Sequence, residues 1–541
     1  MKKVLQLLET RPASVGCLLF AIANRIVFTT LYSQIGTDTK IQLTYTQNLL
    51  ADKGMGVTKY FTHHLDNGIF DTQQMFPPGL SLAIIPFLKL AGNNESKAVL
   101  AFDIVAAVLF VVSVRLLGKK SGLSPALNNI LILIAGCTQF LFFMSWSSTD
   151  AISLCFILLG LTVTIDIIDR KDNISFLQAA GIGILFCLPF FFRYMYLPIA
   201  MFLPFSVLAS GVVLRNKQLK IAGAKLLLVS LVSLVLLLAF NLYTSGNALF
   251  VHDFGRGIFP GQLARWYPFL PASFINLDFA AQLTERISGL PYSRFMFYME
   301  ILNPVLFVLL IILLGRYIAV HKFNIAFSRH SLFIVLGAAI SICILLLLAY
   351  LTLTYKAIPW GLIRWTHSQH ARYFAFIYIF IPMLVFVWLQ YYGSFVKKIV
   401  PRIVVFIALC CMITETLHGV YYNIKIIGSH KDLRTIKDAD QGYKKFSSVI
   451  AEIKQKYPGS ELLISSPDQY YLHAASQMGY KAIFDYENIS QAGLKPSSKS
   501  ILLVAVHQQE AIIMKDYIEK KKPKLFAEIA GTYFYTEEIN P

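Results

Sequence analysis

Residues 331–353 read SLFIVLGAAISICILLLLAYLTL, a run of twenty-three residues without one charged side chain. As an α-helix it would extend about 34 Å at 1.5 Å per residue, enough to cross a hydrocarbon layer of about 30 Å. A helix satisfies its own backbone donors and acceptors, which is the condition for lying in lipid. Comparable runs occur near 13–33, 97–117, 126–145, 149–168, 174–192, 196–214, 221–243, 297–316, 372–392 and 402–424. The sequence therefore predicts a polytopic α-helical membrane protein with about 11 transmembrane helices.

Composition points the same way. Of 541 residues, 56% are hydrophobic and only 14% charged, and mean hydropathy is +0.60. A soluble protein carries about 25% charged residues. A soluble enzyme, a disordered chain and a small disulfide scaffold are all excluded. The seven cysteines (Cys17, Cys137, Cys155, Cys187, Cys343, Cys410, Cys411) fall in apolar stretches, as small hydrophobes packed between helices do. They offer neither a disulfide framework nor a paired metal site.

The formal charge of +18 is unevenly spread. Residues 430–541 hold 15 of the 48 Lys and Arg and 14 of the 30 Asp and Glu, so the hydrophobic part keeps 33 against 16. A nucleic-acid binder would concentrate its basic residues on a polar domain, so no nucleic-acid partner is expected. The excess fits short cytoplasmic loops that follow the positive-inside bias. With the N-terminus in the cytoplasm, Arg115-Lys119-Lys120, Arg170-Lys171, Arg215-Lys217-Lys220, Arg316-Lys322-Arg329 and Lys397-Lys398-Arg402 all fall inside. The first run follows Met1-Lys2-Lys3 without a small-residue cleavage site, and is expected to stay as a helix. The outer loops are then 34–96, 146–148, 193–195, 244–296 and 354–371. The apolar stretch after Pro77-Pro78-Gly79, reaching Gly92, is short for a span and would reverse every later loop, so it is expected at the interface or re-entrant.

Two domains are expected: a transmembrane part over 1–429 and a small extracytoplasmic α/β domain over 430–541. In the latter, strand-like runs at Leu462-Leu463-Ile464, Ala482-Ile483-Phe484 and Ile501-Leu502-Leu503-Val504 alternate with amphipathic stretches at 440–456, 468–478 and 508–520.

Charges inside the spans are few: Asp103, Asp166, Lys225, Glu300 and Glu415, most of them near a span end where a side chain reaches the headgroups. The outer loops are richer. The first holds Thr37-Asp38-Thr39-Lys40, His63-His64 and Asp71. The fourth holds His252-Asp253, Arg256 and Arg265-Trp266, and the fifth Arg364-Trp365, His367 and His370, with Arg372-Tyr373 at its edge. Carboxylates, imidazoles and guanidinium groups among aromatic rings suit a phosphate-bearing lipid and a sugar. Aromatic faces stack on sugar rings, Arg forks grip phosphate oxygens, and a carboxylate takes a proton from an attacking hydroxyl.

These features come in a recognisable order. Asp38 follows the first span, then come Pro77-Pro78-Gly79 and a short apolar helix, and Ser148-Thr149-Asp150 opens a span. Phe192-Arg193-Tyr194 with Leu197-Pro198, the Gly246-Asn247 loop start and Ala371-Arg372-Tyr373 with Pro382 complete the series. Over about residues 10–390 this order resembles the GT-C superfamily of membrane glycosyltransferases, including the lipid A aminoarabinose transferases and the protein O-mannosyltransferases. The resemblance implies a GT-C-like fold and a polyprenyl-phosphate sugar donor used on the outer face of a cell envelope membrane, here the bacterial inner membrane. The acceptor would be a lipid, a glycan or a protein. It implies that the Asp after the first span acts at the acceptor, which is Asp38 here, and that basic residues hold the donor phosphate.

The expected substrate-binding set is then Arg372, Arg193, Asp150, Tyr373, His370 and Arg256. Two departures leave the substrate, and any divalent cation serving as cofactor, open. Thr39 stands where many members have a second acid, and Phe76 where the aminoarabinose transferases have Lys. Simpler roles compete at each position: helix capping for Asp38 and Asp150, headgroup anchoring for Arg372 and Arg193. Two other functions remain as alternatives, a transporter or flippase of lipid-linked saccharides and an O-antigen ligase or polymerase. The first would show repeated halves with polar residues at mid-membrane, and the sequence has no such halves.

Overall fold

The computed structural model describes residues 6–32, 37–51, 76–137, 148–171, 174–245, 328–354, 375–393 and 436–466 as near-continuous runs. Shorter pieces lie at 55–58, 70–72, 258–260, 285–291, 358–360, 363–365, 480–483, 499–507, 522–529 and 532–539, with single residues elsewhere, chiefly between 397 and 424. The helices are α1 (Arg11–Tyr32), α2 (Thr37–Leu50), α3 (Gly79–Ala83), α4 (Ile85–Leu90), α5 (Glu95–Lys120), α6 (Pro125–Cys137), α7 (Ser148–Arg170), α8 (Phe176–Phe192), α9 (Leu197–Val213), α10 (Lys217–Ser245), α11 (Arg329–Thr354), α12 (Ala375–Tyr391) and α13 (Ile436–Lys456). The strands are β1 (Gly56–Thr58), β2 (Phe70–Thr72), β3 (Ile358–Trp360), β4 (Ile363–Trp365), β5 (Glu461–Ser465), β6 (Lys481–Ile483), β7 (Ser500–His507), β8 (Lys524–Ile529) and β9 (Thr532–Ile539).

Among the described residues, six helical segments are long and apolar enough to cross a membrane: Arg11–Thr30, Glu95–Lys120, Ser148–Arg170, Tyr194–Val213, Lys217–Tyr243 and Arg329–Thr354. Four shorter apolar helices accompany them, Gly79–Leu90, Pro125–Cys137, Phe176–Phe192 and Ala375–Tyr391. The expected run at 297–316 lies outside the described residues, and 402–424 is described only as scattered helical positions. The 79–90 stretch is broken at Ile84, just before Pro86. Its total rise of about 18 Å falls short of a full crossing.

Short polar residues set where many of these helices start. Asn94, Ser124, Asn216 and Ser328 each accept a bond from a backbone N–H three residues on. Ser175 does the same within a capping box, in which Gln178 Oε1 accepts from Ser175 N at 2.9 Å. A side-chain oxygen here replaces the partner that the first helical turn lacks.

The chain divides into two compact units. Unit 1 comprises 1–32, 103–237 and 251–433. Its helices meet over small residues. A Cβ on Gly136 of α6 would lie 2.6 Å from Cβ and 2.7 Å from Cα of Ala21 on α1, and one on Gly337 of α11 would overlap the Phe380 ring of α12. Without a hydrophobic effect between helices in lipid, such close approach supplies the dispersion contacts that hold a bundle. At one end of the bundle Asp166 accepts from both Lys120 and Arg170, and Arg329 Nε lies 2.6 Å from Asp169 Oδ2. This joins α5, α7 and α11.

Unit 2 comprises 33–102, 238–250 and 434–541. Its C-terminal segment forms a five-stranded sheet of order β6-β5-β7-β9-β8. Strands β6, β5 and β7 run parallel, while β9 is antiparallel to β7 and β8. Phe446, Val449, Ile450 and Ile453 form one face of α13 and pack on Leu462, Ile464, Ile501, Leu503, Ala505 and Phe534 of the sheet. The three strands expected from sequence are β5, β6 and β7. The pair β8–β9 was not anticipated, although TYFYTEEI alternates between buried and partly buried from Thr532 to Tyr535.

Candidate functional site

The segment that follows α1 forms α2, whose sequence TDTKIQLTYTQNLL is polar, yet every residue from Thr39 to Thr46 is buried. Eight consecutive buried positions cover all sides of a helix that turns every 3.6 residues, so its polar groups need partners. Lys40, 1% exposed, pairs with Glu95 Oε2 at 2.5 Å, and Glu95 Oε1 accepts from Gln47 Nε2 at 2.7 Å. Thr46 Oγ1 donates to the Ser81 carbonyl at 2.9 Å, and Ser81 Oγ donates to the Gln42 carbonyl at 3.1 Å. These bonds fix α2 to α3 and to the start of α5. Phe76, where the aminoarabinose transferases have Lys, packs on Ile41 and Tyr45 of α2. It lies just before the buried Pro77-Pro78.

Asp38 lies in the first turn of α2, half-buried. A carboxylate there is favoured by the positive end of the helix dipole. One turn on, Gln42 folds its side chain back so that Nε2 donates to the Asp38 carbonyl oxygen at 3.0 Å. The other amide atom, Gln42 Oε1, is buried and has no hydrogen-bond partner among the described residues.

In unit 1 the structure brings two expected residues together. Asp150 sits in the first turn of α7, and Arg193 is the residue at which α8 ends, with φ −149° and ψ 117°. Arg193 Nε donates to Asp150 Oδ1 and Nη2 donates to Oδ2, both at 2.7 Å. Both side chains are buried, which makes this a bidentate charge-assisted pair in a protein interior. Two of the five guanidinium N–H bonds are thereby committed to a protein carboxylate.

The other expected substrate-binding residues, Arg256, His370, Arg372 and Tyr373, lie outside the described residues. Among the described residues no three His, Cys, Asp or Glu side chains gather to hold a metal ion. Sequence reasoning missed Arg25. It is buried within α1, its guanidinium 4.9 Å from the Phe28 ring centroid and 5.7 Å from that of Phe110 on α5. Faces of aromatic rings attract a cation most where water is absent. Its signal was present as one Arg inside an otherwise apolar run. The Lys40–Glu95 pair had no local signal, since 55 positions separate its partners.

No protein-family model matches the chain, and no curated protein matches it. Among solved structures it is similar to the oligosaccharyltransferase of Archaeoglobus fulgidus, crystallised with Zn and sulfate. Sequence identity is 12%, the match covers 96% of this chain and 72% of that one, and the TM-score is 0.47.

Proposed function

We propose that the chain is an integral-membrane glycosyltransferase that moves one sugar from a polyprenyl-phosphate carrier to an acceptor on the outer face of the membrane. In this reading the N-terminus is cytoplasmic, and the α/β domain of 430–541 stands outside and helps bind the acceptor. The observation that carries the proposal is Asp38: a half-buried carboxylate at the head of a helix locked in place along its length by buried hydrogen bonds and an ion pair. A base must be held where its proton donor arrives, and a helix with this many bonds holds it.

Asp38 takes the proton of an acceptor hydroxyl as that oxygen attacks the anomeric carbon. The bond from that carbon to the carrier phosphate breaks, and the configuration inverts. One carboxylate suffices, because no glycosyl-enzyme intermediate forms. The departing phosphate is met by Arg372. Arg193, held by Asp150, adds its positive charge near that phosphate, and Tyr373, His370 and Arg256 line the donor site.

A flippase of lipid-linked saccharides is the second reading, favoured by Arg25 and Asp103, which are buried within membrane-length helices. A strain lacking the chain should accumulate unused lipid-linked sugar on the outer leaflet if it is a transferase, and on the inner leaflet if it is a flippase. Asp38→Asn keeps shape and capping capacity but cannot accept the proton. Loss of a general base costs about 10²–10⁴ in rate, so this variant should be made at normal levels and leave the donor unused. Retention of more than about a tenth of wild-type transfer by Asp38→Asn would lie outside that range and return Asp38 to a capping role.

A further inference from the structure

Given the transferase reading, on which the assignment of Gln42 rests, its orphaned oxygen bears on which kind of acceptor Asp38 would meet. The orientation of the Gln42 amide is fixed, because only its nitrogen can donate to the Asp38 carbonyl at 3.0 Å. Oε1 is therefore an acceptor atom at the same helical turn as the Asp38 carboxylate. Gln42 is 0% exposed, and among the described residues Oε1 has no hydrogen-bond partner. Its neighbours on α2 meet their polar demands within the protein: Lys40 through Glu95, Thr46 through Ser81, Gln47 through Glu95. A buried polar atom without a partner destabilises a fold, and where one persists a function or a bound group accounts for it. Side chains four apart on a helix lie on one face, with Cβ atoms about 6 Å apart. Asp38 and Gln42 thus set two oxygen acceptors side by side along α2.

We propose that Gln42 Oε1 accepts a hydrogen bond from a second hydroxyl of the acceptor molecule, next to the hydroxyl that Asp38 deprotonates. The acceptor is then a polyol, a sugar unit of a glycan, rather than the single hydroxyl of a Ser or Thr side chain. The Gln42 bond neither forms nor breaks a covalent bond. It turns the acceptor so that one oxygen faces Asp38, and it disfavours acceptors that would leave Oε1 unpaired, which is the strongest form of discrimination a polar site has. Gln42 is a binding residue that sets specificity, and the proton leaves through Asp38 alone.

The test uses the full chain in a strain lacking it, with wild type, Asp38→Asn, Gln42→Met and Gln42→Glu restored in turn. Lipid-linked sugar, membrane protein level, thermal stability of the purified protein and the chemical site of the transferred label are measured. Gln42→Met has similar volume and no oxygen. It loses the orphaned oxygen but also the Nε2 bond to the Asp38 carbonyl, two opposing effects on stability, so it should melt close to wild type and lower transfer by about tenfold or more, the worth of one hydrogen bond to substrate. Gln42→Glu keeps an acceptor oxygen and, with its buried carboxyl protonated, can still donate to the Asp38 carbonyl, so it should transfer better than Gln42→Met. The label should lie on a glycan hydroxyl.

Unchanged transfer by Gln42→Met overturns the inference and leaves a water or a void at Oε1. So does label on protein Ser or Thr. If the deletion strain accumulates no lipid-linked sugar, or Asp38→Asn transfers normally, the transferase reading itself falls. A normal Gln42→Met beside an inactive Asp38→Asn sinks only the assignment of Gln42.

Discussion

At the scale of single residues, Asp150 and Arg193 present a buried pair whose structural and chemical roles can be separated. Taking one partner from such a pair leaves a charge in a medium that cannot solvate it, at a cost of about 3–5 kcal/mol, whereas an apolar replacement of both is often neutral. Asp150→Leu or Arg193→Met alone should therefore lower the thermal stability of the detergent-extracted protein sharply, and the double variant should recover most of the loss. If Arg193 also grips donor phosphate, the double variant will be stable and inactive. A stable and active double variant would leave the pair a purely structural lock.

Tyr535 offers a pH-dependent test on the α/β domain. Burial, then Tyr533, then Glu528 push its phenol above the ordinary value of 10. A raised folded-state value means that the native domain holds this proton more tightly than the unfolded chain does. The resulting stability is fully present below about pH 10 and is lost as pH rises through the folded value. Melting temperature measured across pH 9–12 should fall less steeply in Tyr535→Phe than in wild type, and parallel curves would deny the effect.

At the scale of elements, α1 and α6 approach each other backbone to backbone. A methyl on Gly136 meets backbone atoms of Ala21, at 2.7 Å for Cα and 2.9 Å for the carbonyl oxygen, and backbone cannot turn aside as a side chain can. Gly136→Val should thus force the helices apart and cost about 1–3 kcal/mol or more. The loss would be read as a lower melting temperature in detergent, with an exposed glycine such as Gly181, which meets nothing within 4 Å, as the neutral control.

Elements also differ in how legible they were. The spans could be read because an apolar run has a length to compare with a bilayer. The helix α13 could be read because Phe446, Val449, Ile450 and Ile453 recur at helical spacing. The helix α2 could be read as a helix beginning near Asp38, but its burial could not, because TDTKIQLTYTQN has the composition of a solvated surface and its burial depends on Glu95 and Ser81, far along the chain. Strands β8 and β9 escaped notice because Lys524, Glu528, Glu537 and Glu538 break their apolar signal. Of the candidate site, Asp38, Asp150 and Arg193 were found by their order in the chain. That two of these form an ion pair, and that Gln42 holds an orphaned oxygen, needed side-chain positions.

At the scale of the whole molecule, the positive-inside reading of the basic loops predicts one orientation. Reporter fusions after Lys120, Lys220, Arg329 and Lys398 should all report cytoplasm, and one at Pro541 should report the opposite side. A cytoplasmic signal at Pro541 would make the number of spans even and remove the outer placement of the C-terminal domain.

Arg25 bears on how such a chain is made. Within a membrane-length helix such as α1, an arginine carries an insertion penalty of about 2.5–3.5 kcal/mol, set against the apolar residues around it. One of the two rings that shield its guanidinium, Phe110, belongs to a helix synthesised later. The first helix is therefore poorly suited to drift alone into lipid. It would wait beside the insertion machinery until α5 emerges, and the two would leave together, which makes the insertion of α1 and α5 a paired event.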